Sequence, residues 1–417
     1  MKKELKHLCI VGCVVLTLTG CSLQPANRNY KKAVSAYDNG EYEEAETYFK
    51  KAIEGNEDKA EYYIDYGFNL IQMGRYEEAL QQFDRVIMDN DITMVKENNK
   101  KAYRGKGIAY LKMNQYTEAL EAFDLALEIT ELKSLDEDLL FYKGQTLEYE
   151  GQYEKGIEIY TELIEKNDKD ASLYSARANL YRKMGEYDAS LADYEKALSY
   201  EKSNFDLYFG KFSVLKELGK NEEASSTLEE AANITVNSEK DKFNLAKVHF
   251  YQENYEVAKS EFQTAISDGF TEANYFLGEI SLAEKNYKEA LTYYDAYESA
   301  GNTLSAMYYN QRLVCYLNLE DYTNAAKALK QAKTYSTASI AQQLLRNEIV
   351  LLEKTGDFTN ALNKMEAYMK EYTVDEETKK DYEFLKTRAT TQSEDSSDKN
   401  SDTSETKENE NTTVEKP

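Results

Sequence analysis

Gly40-Glu41-Tyr42-Glu43-Glu44-Ala45, followed by Gly74-Arg75-Tyr76-Glu77-Glu78-Ala79, is the phrase on which the fold turns. It returns as Asn114-Gln115-Tyr116-Thr117-Glu118-Ala119, as Gly151-Gln152-Tyr153-Glu154-Lys155-Gly156, as Gly185-Glu186-Tyr187 and as Gly219-Lys220-Asn221-Glu222-Glu223-Ala224. Later copies centre on Tyr255, Tyr287, Tyr322 and Phe358. Successive centres lie 34, 40, 37, 34, 34, 34, 32, 35 and 36 residues apart, which makes ten units with a base period of 34. A fixed period of this length marks an array of stacked supersecondary units.

Each unit reads as two helices. Before the turn, apolar groups recur at helical spacing, as in Tyr63, Tyr66, Gly67 and Leu70; after it, Ala79, Phe83 and Val86 share one face. The glycine between them supplies the left-handed residue that ends the first helix. Small residues such as Gly67, Gly107, Gly144 and Ala178 fall mid-helix, where glycine costs about 1 kcal/mol. Their recurrence predicts close helix packing, with Phe83, Phe123, Tyr160, Tyr194, Phe262 and Tyr294 filling the space opposite. Proline occurs only at Pro25 and Pro417, so nothing between them is broken by that residue.

This pattern is similar to the tetratricopeptide repeat, a helix–turn–helix unit, from residue 26 to about 373. The resemblance implies an all-α, right-handed superhelical solenoid of about ten units. The unit at 60–90 matches nearly throughout, and the next matches through Tyr103, Gly107, Tyr110, Tyr116, Ala119, Phe123 and Ala126. The proline expected at the end of the second helix is missing everywhere, Asn221 replaces an aromatic, and the unit at 339–373 is the most divergent. The longer intervals place extra polar residues around Met88–Asn99 and Lys133–Asp138, which predicts longer connections there. Residues 374–388 read as a terminal helix capping the last apolar face. Residues 389–417 hold only Ala389 and Val414 as apolar groups, and the expectation for them is a disordered acidic tail.

Lys2, Lys3 and Lys6 precede an uncharged apolar run over residues 8–19, followed by Leu18-Thr19-Gly20-Cys21. Twelve residues are too few to span a bilayer, which needs about 20, but they suit a secretory signal. The segment resembles a bacterial lipoprotein signal. That resemblance implies a signal peptide over 1–20, a diacylglyceryl lipid with fatty-acyl chains such as palmitate on Cys21, and a short lipidated linker over 21–25. It places the chain at the extracytoplasmic face of the cell membrane, in a bacterium expected to be single-membraned and Gram-positive. Two acyl chains hold a protein at a membrane where one is marginal.

The net charge of −25 disfavours nucleic acid as a partner and gives no electrostatic attraction to anionic lipid. Cys9, Cys13 and Cys21 lie in or beside the leader and Cys315 stands apart, so no disulfide framework is expected. Cys315 reads as a small buried group. His7 belongs to the leader and His249 stands alone on a helix, so neither a catalytic pair nor a metal set is expected. Gly105-Lys106-Gly107 belongs to a repeat helix rather than a phosphate loop. The chain is therefore expected to be no enzyme and to carry no cofactor beyond the lipid on Cys21.

The two resemblances together imply a membrane-anchored scaffold or assembly factor of the cell envelope. A solute- or glycan-binding surface lipoprotein is the alternative. In the tetratricopeptide family a protein or peptide partner lies in a concave groove lined by first helices. The family's Lys/Asn carboxylate clamp is incomplete in this sequence. The groove positions carry Lys101, Arg104, Lys112, Phe141, Tyr149, Asn179, Arg182, Lys183, Phe209, Phe250, Tyr251 and Tyr275. Basic and aromatic residues on an acidic chain point to an acidic or aromatic-containing segment as the ligand.

Overall fold

The computed structural model describes residues 25–336 and 338–401; the leader, Cys21 and residues 402–417 lie outside them. Among the described residues the secondary structure is twenty-one α-helices and one 3-10 turn. The chain divides into two compact units at Thr227/Leu228.

The first unit contains α1 (Pro25–Asp38), α2 (Tyr42–Gly55), α3 (Ala60–Gln72), α4 (Tyr76–Asp84), α5 (Thr93–Lys112) and α6 (Tyr116–Glu128). It continues with α7 (Asp136–Glu150), α8 (Tyr153–Lys166), α9 (Ala171–Met184), α10 (Tyr187–Tyr200), α11 (Phe205–Glu217) and the start of α12 (Asn221–Ala232). The second unit takes the end of α12, then α13 (Glu239–Tyr251), α14 (Tyr255–Ser267), α15 (Ala273–Ala283), α16 (Tyr287–Ser299) and α17 (Ala306–Asn318). It closes with α18 (Tyr322–Thr334), α19 (Ala338–Lys354), α20 (Phe358–Glu371) and α21 (Glu376–Ser401). Odd-numbered helices up to α19 are the first of each pair. Most of them pack on the helix before and the helix after, and several also touch the next first helix, as α3 does α5 and α17 does α19. Contacts confined to neighbours are what make a solenoid.

The turn between paired helices is left-handed in all ten copies. Gly40, Gly74, Gly151, Gly185, Gly219 and Gly356 have φ between +70° and +80°, and Asn114, Glu253, Lys285 and Glu320 hold the same place at φ of +57° to +61°. The geometry is thus a property of the register, and where glycine is absent the side chain bears the strain of that region. The packing follows the predicted ring-into-gap scheme. Phe83, Phe123, Tyr160, Tyr194, Phe262 and Tyr294 are all fully or almost fully buried. A methyl placed on Gly67 would stand 2.6 Å from the Phe83 ring, and on Gly107 2.4 Å from Phe123.

Two expectations change. The longest interval is partly absorbed by helix: α5 runs for 20 residues, and Asn99 within it clamps the preceding loop. Its Oδ1 accepts from the Met88 N–H at 3.1 Å, and its Nδ2 donates to the Met88 carbonyl at 2.7 Å. The terminal helix also runs past Arg388 to Ser401. Neither proline nor glycine interrupts that stretch, and the Thr390 and Thr391 hydroxyls bond back to carbonyls one turn earlier. No helix among the described residues is long and apolar enough to cross a membrane.

Candidate functional site

On the first helix of each pair, the positions twelve, eight and four residues before the unit's central Tyr, Asn or Phe form one stripe, buried in part in α3 and α5 at Ile64, Phe68, Arg104 and Ile108. Most of the groove residues read from the sequence fall on it, because residues four apart share a helix face.

In the first unit two of the groove's basic residues, Arg104 and Lys183, are neutralised from within. Arg104 is 3% exposed. Its Nε donates to Asp138 Oδ2 at 2.5 Å, and its guanidinium lies 5.4 Å from the Phe68 ring centre and 5.7 Å from that of Tyr142. Arg104 is therefore a rivet between α3, α5 and α7, not a groove cation, and its Nη2 is buried without a partner. Burying a charge is tolerable only when it is paired. Lys183 binds Glu148 at 2.9 Å and stands over Tyr153. Asn179 Oδ1 accepts from the Tyr194 hydroxyl at 2.8 Å, which burial pushes up to about 12 against the nearby Arg182 charge. Lys101 bears electrostatically on Asp65, and Lys112 is exposed. Phe141 packs edge-on to Tyr160, and Phe209 stacks on Phe205. Tyr149, 61% exposed, stacks on Tyr116 at 5.7 Å.

Sequence reasoning missed two ionisable residues here, one buried and one half-buried. Lys100 is fully buried; its Nζ donates to the carbonyls of Ile129 and Glu131 and to Asp136 Oδ1 at 2.5 Å. Asp65 accepts from the Tyr30 hydroxyl at 2.5 Å. Burial raises its carboxyl to about 6, against the opposing effect of that hydrogen bond.

In the second unit Phe250 is half-buried at the edge of the core, packed edge-on to Phe262 and Phe276. Tyr251 at the end of α13 is 37% exposed. Tyr275 on α15 contacts Tyr294 at 6.0 Å and Tyr297 at 5.7 Å. One turn after Tyr275 stands Glu279, which the sequence reading did not single out. Its Oε1 accepts from Tyr294 at 2.5 Å and its Oε2 from Gln311 Nε2 at 2.8 Å. Burial raises its carboxyl, against the hydrogen bonds it receives.

The remaining reactive side chains are quiet. Cys315 is buried, and burial with the nearby Glu279 charge pushes its thiol up to about 12, leaving little nucleophilic thiolate. His249 Nδ1 is 2.7 Å from Glu261 Oε2. Among the described residues no three His, Cys, Asp or Glu side chains converge as a metal set.

Tetratricopeptide repeat models match residues 36–91, 69–133, 138–169, 171–204 and 243–305, together more than half of the chain. No curated protein matches it. Among solved structures, a tetratricopeptide repeat protein from Parabacteroides merdae is 16% identical with a TM-score of 0.47, covering 61% of this chain and 98% of its own. YrrB, described as a TPR protein with an unusual peptide-binding site, is 22% identical with a TM-score of 0.35, covering 45% and 92%. The Cut9–Hcn1 hetero-tetramer of the APC/C is 11% identical with a TM-score of 0.44, covering 87% and 96%.

Proposed function

We propose, from the premise that this chain is a tetratricopeptide-repeat protein, that it is a binding scaffold held at the outer face of a bacterial cell membrane by a lipid on Cys21. It holds a segment of a partner protein along its first-helix faces and assists the assembly of an envelope complex. The observation that carries this reading is the division of labour within each helix pair. The buried rings between helices make the core, while the first helices keep half-buried aromatic and polar side chains on a shared stripe, as at Tyr251, Tyr275 and Glu279. Such a mixture of aromatic surface and placed polar groups is what interfaces use. The anchor rests on the leader pattern ending in Leu18-Thr19-Gly20-Cys21.

The expected ligand also shifts. With Arg104 and Lys183 committed to Asp138 and Glu148, and a net charge of −25, the stripe suits a basic or aromatic segment better than an acidic one. The test is fractionation with partner recovery. Cys21→Ala is expected to move the protein from the membrane to the soluble fraction and to reduce recovery of its membrane partner. Retention of the variant on membranes would remove the anchor from the account. Recovery of wall polymer or small solutes without protein would favour the alternative surface-binding role.

A further inference from the structure

Glu279 stands eight residues before Tyr287, and Asn179 stands eight residues before Tyr187. The two occupy the same register and do the same local job: each accepts from the tyrosine fifteen residues on, Tyr294 for Glu279 and Tyr194 for Asn179. A neutral amide therefore satisfies that hydroxyl, and packing does not require a carboxylate. The same register elsewhere holds Val34, Phe68, Ile108, Gln145, Ser213, Lys247, Val314 and Val350. Glu279 is the one acid in the series.

Its surroundings differ in a second way. Near Asn179 stands Arg182; the matching residue on α15 is Leu282. Among the described residues no cation lies within ion-pair distance of Glu279; its partners are the hydroxyls of Tyr294 and Tyr275 and the Gln311 amide. Lys247, at the same register on α13, is held over the Phe243 ring and beside Asn244. The field of Glu279 accordingly reaches outward: it helps to raise Tyr251, Tyr255, Tyr275, Tyr294 and Cys315, which come from five successive helices. A half-buried carboxylate without a counter-charge costs stability, which a merely structural position would shed.

We propose that Glu279, with the Tyr275 hydroxyl beside it, receives one cationic side chain, a lysine ammonium or arginine guanidinium, from the partner's segment. A cation there gains a charge-assisted bond to a carboxylate that has no counter-charge of its own. This rests on the reading that the first-helix stripe binds protein, and it specifies the chemistry at one point of that stripe.

The full mature chain is titrated by NMR with a capped Gly-Ala-Lys-Ala-Gly peptide and with the same peptide bearing norleucine for lysine. Wild type is expected to bind the lysine peptide and not the norleucine one. Glu279→Gln, which keeps the hydrogen-bond acceptor and the shape, is expected to bind the lysine peptide at least about tenfold more weakly, with an unchanged circular dichroism spectrum. Equal binding of both peptides, no binding of the lysine peptide, or full affinity in the glutamine variant would overturn the proposal. Partner capture in cells separates this from the scaffold reading. Capture that persists in Glu279→Gln sinks the cation site alone, while lysine-peptide binding with no captured protein sinks the scaffold.

Discussion

Gly105→Ala offers the strictest check on how the repeats lock together. The Phe83 ring is wedged between α3 and α5: a methyl on Gly105 would lie 2.3 Å from its Cζ and 2.5 Å from Cε1, and one on Gly67 would lie 2.6 Å from the same ring. Phe68 closes a further side at 5.3 Å between ring centres, and Phe83 is fully buried. The ring cannot retreat from one glycine without striking the other. Alanine gains about 1 kcal/mol in helix propensity over glycine. Overpacking a filled core costs about 1–3 kcal/mol, and the two-sided confinement puts this site at the upper end. The net expectation is a loss of about 2 kcal/mol. Urea unfolding followed by circular dichroism gives the measure, taken on the first transition if the array unfolds in steps. Adding Phe83→Leu makes room for the methyl, so the double variant is expected to lose at least about 1 kcal/mol less than the sum of the single changes. A Gly105→Ala protein as stable as wild type, or more so, would refute the wedge argument, because propensity alone predicts a gain.

Other consequences follow from the turns and the titrating groups. Glu253→Gly, Lys285→Gly and Glu320→Gly relieve left-handed residues at φ of +57° to +61°, and each is expected to raise stability by about 0.5–1 kcal/mol in chemical denaturation; uniform losses would contradict the strain assignment. Burial tends to raise the Glu46 carboxyl, but hydrogen bonds from Lys50, Tyr66 and Arg75 outweigh it and hold it at about 2. Its contribution is present above the unfolded value near 4.5 and fades as pH falls through about 2, so Glu46→Gln is expected to flatten the acid limb of the stability profile between those values. Glu279 has the opposite sign. Its raised carboxyl makes the folded state less stable as pH climbs past the unfolded value. Glu279→Gln is therefore expected to melt higher than wild type at pH 8 and level with it at pH 4; a lower melting temperature at pH 8 would show that the charge is structurally required.

The parts of the fold that were legible in the sequence are those whose cause is local. The left-handed turn falls within the same six residues as the aromatic that follows, and six of the ten copies mark it with glycine, so the phrase around Tyr42 or Tyr153 announces both helices. The rings and their gaps were legible because both sit at fixed places in one period. Arg104 was misread because its partner, Asp138, lies one period further on, and only the stacking of α5 on α7 brings them together. Lys100 and Asp136 were hidden in the same way. Phe250 was read from the sequence as a groove residue, and the contact with Phe276 that half-buries it comes from the next helix pair. Glu279 was passed over as one acid among many. The signal that could have found it was the register: an acid where Asn179 stands in another copy, with a tyrosine fifteen residues later in both.

The scaffold role stands or falls on which surface meets protein in the living cell. A photo-reactive benzoylphenylalanine in place of Tyr251, on the first-helix stripe of the second unit, is compared with one in place of Leu125, exposed on second helix α6. In intact cells irradiated before membrane isolation, the probe at Tyr251 is expected to yield a discrete crosslinked protein of higher mass and the probe at Leu125 none. Crosslinks from Leu125 alone, or no protein adduct from Tyr251, would contradict a partner held along the first helices.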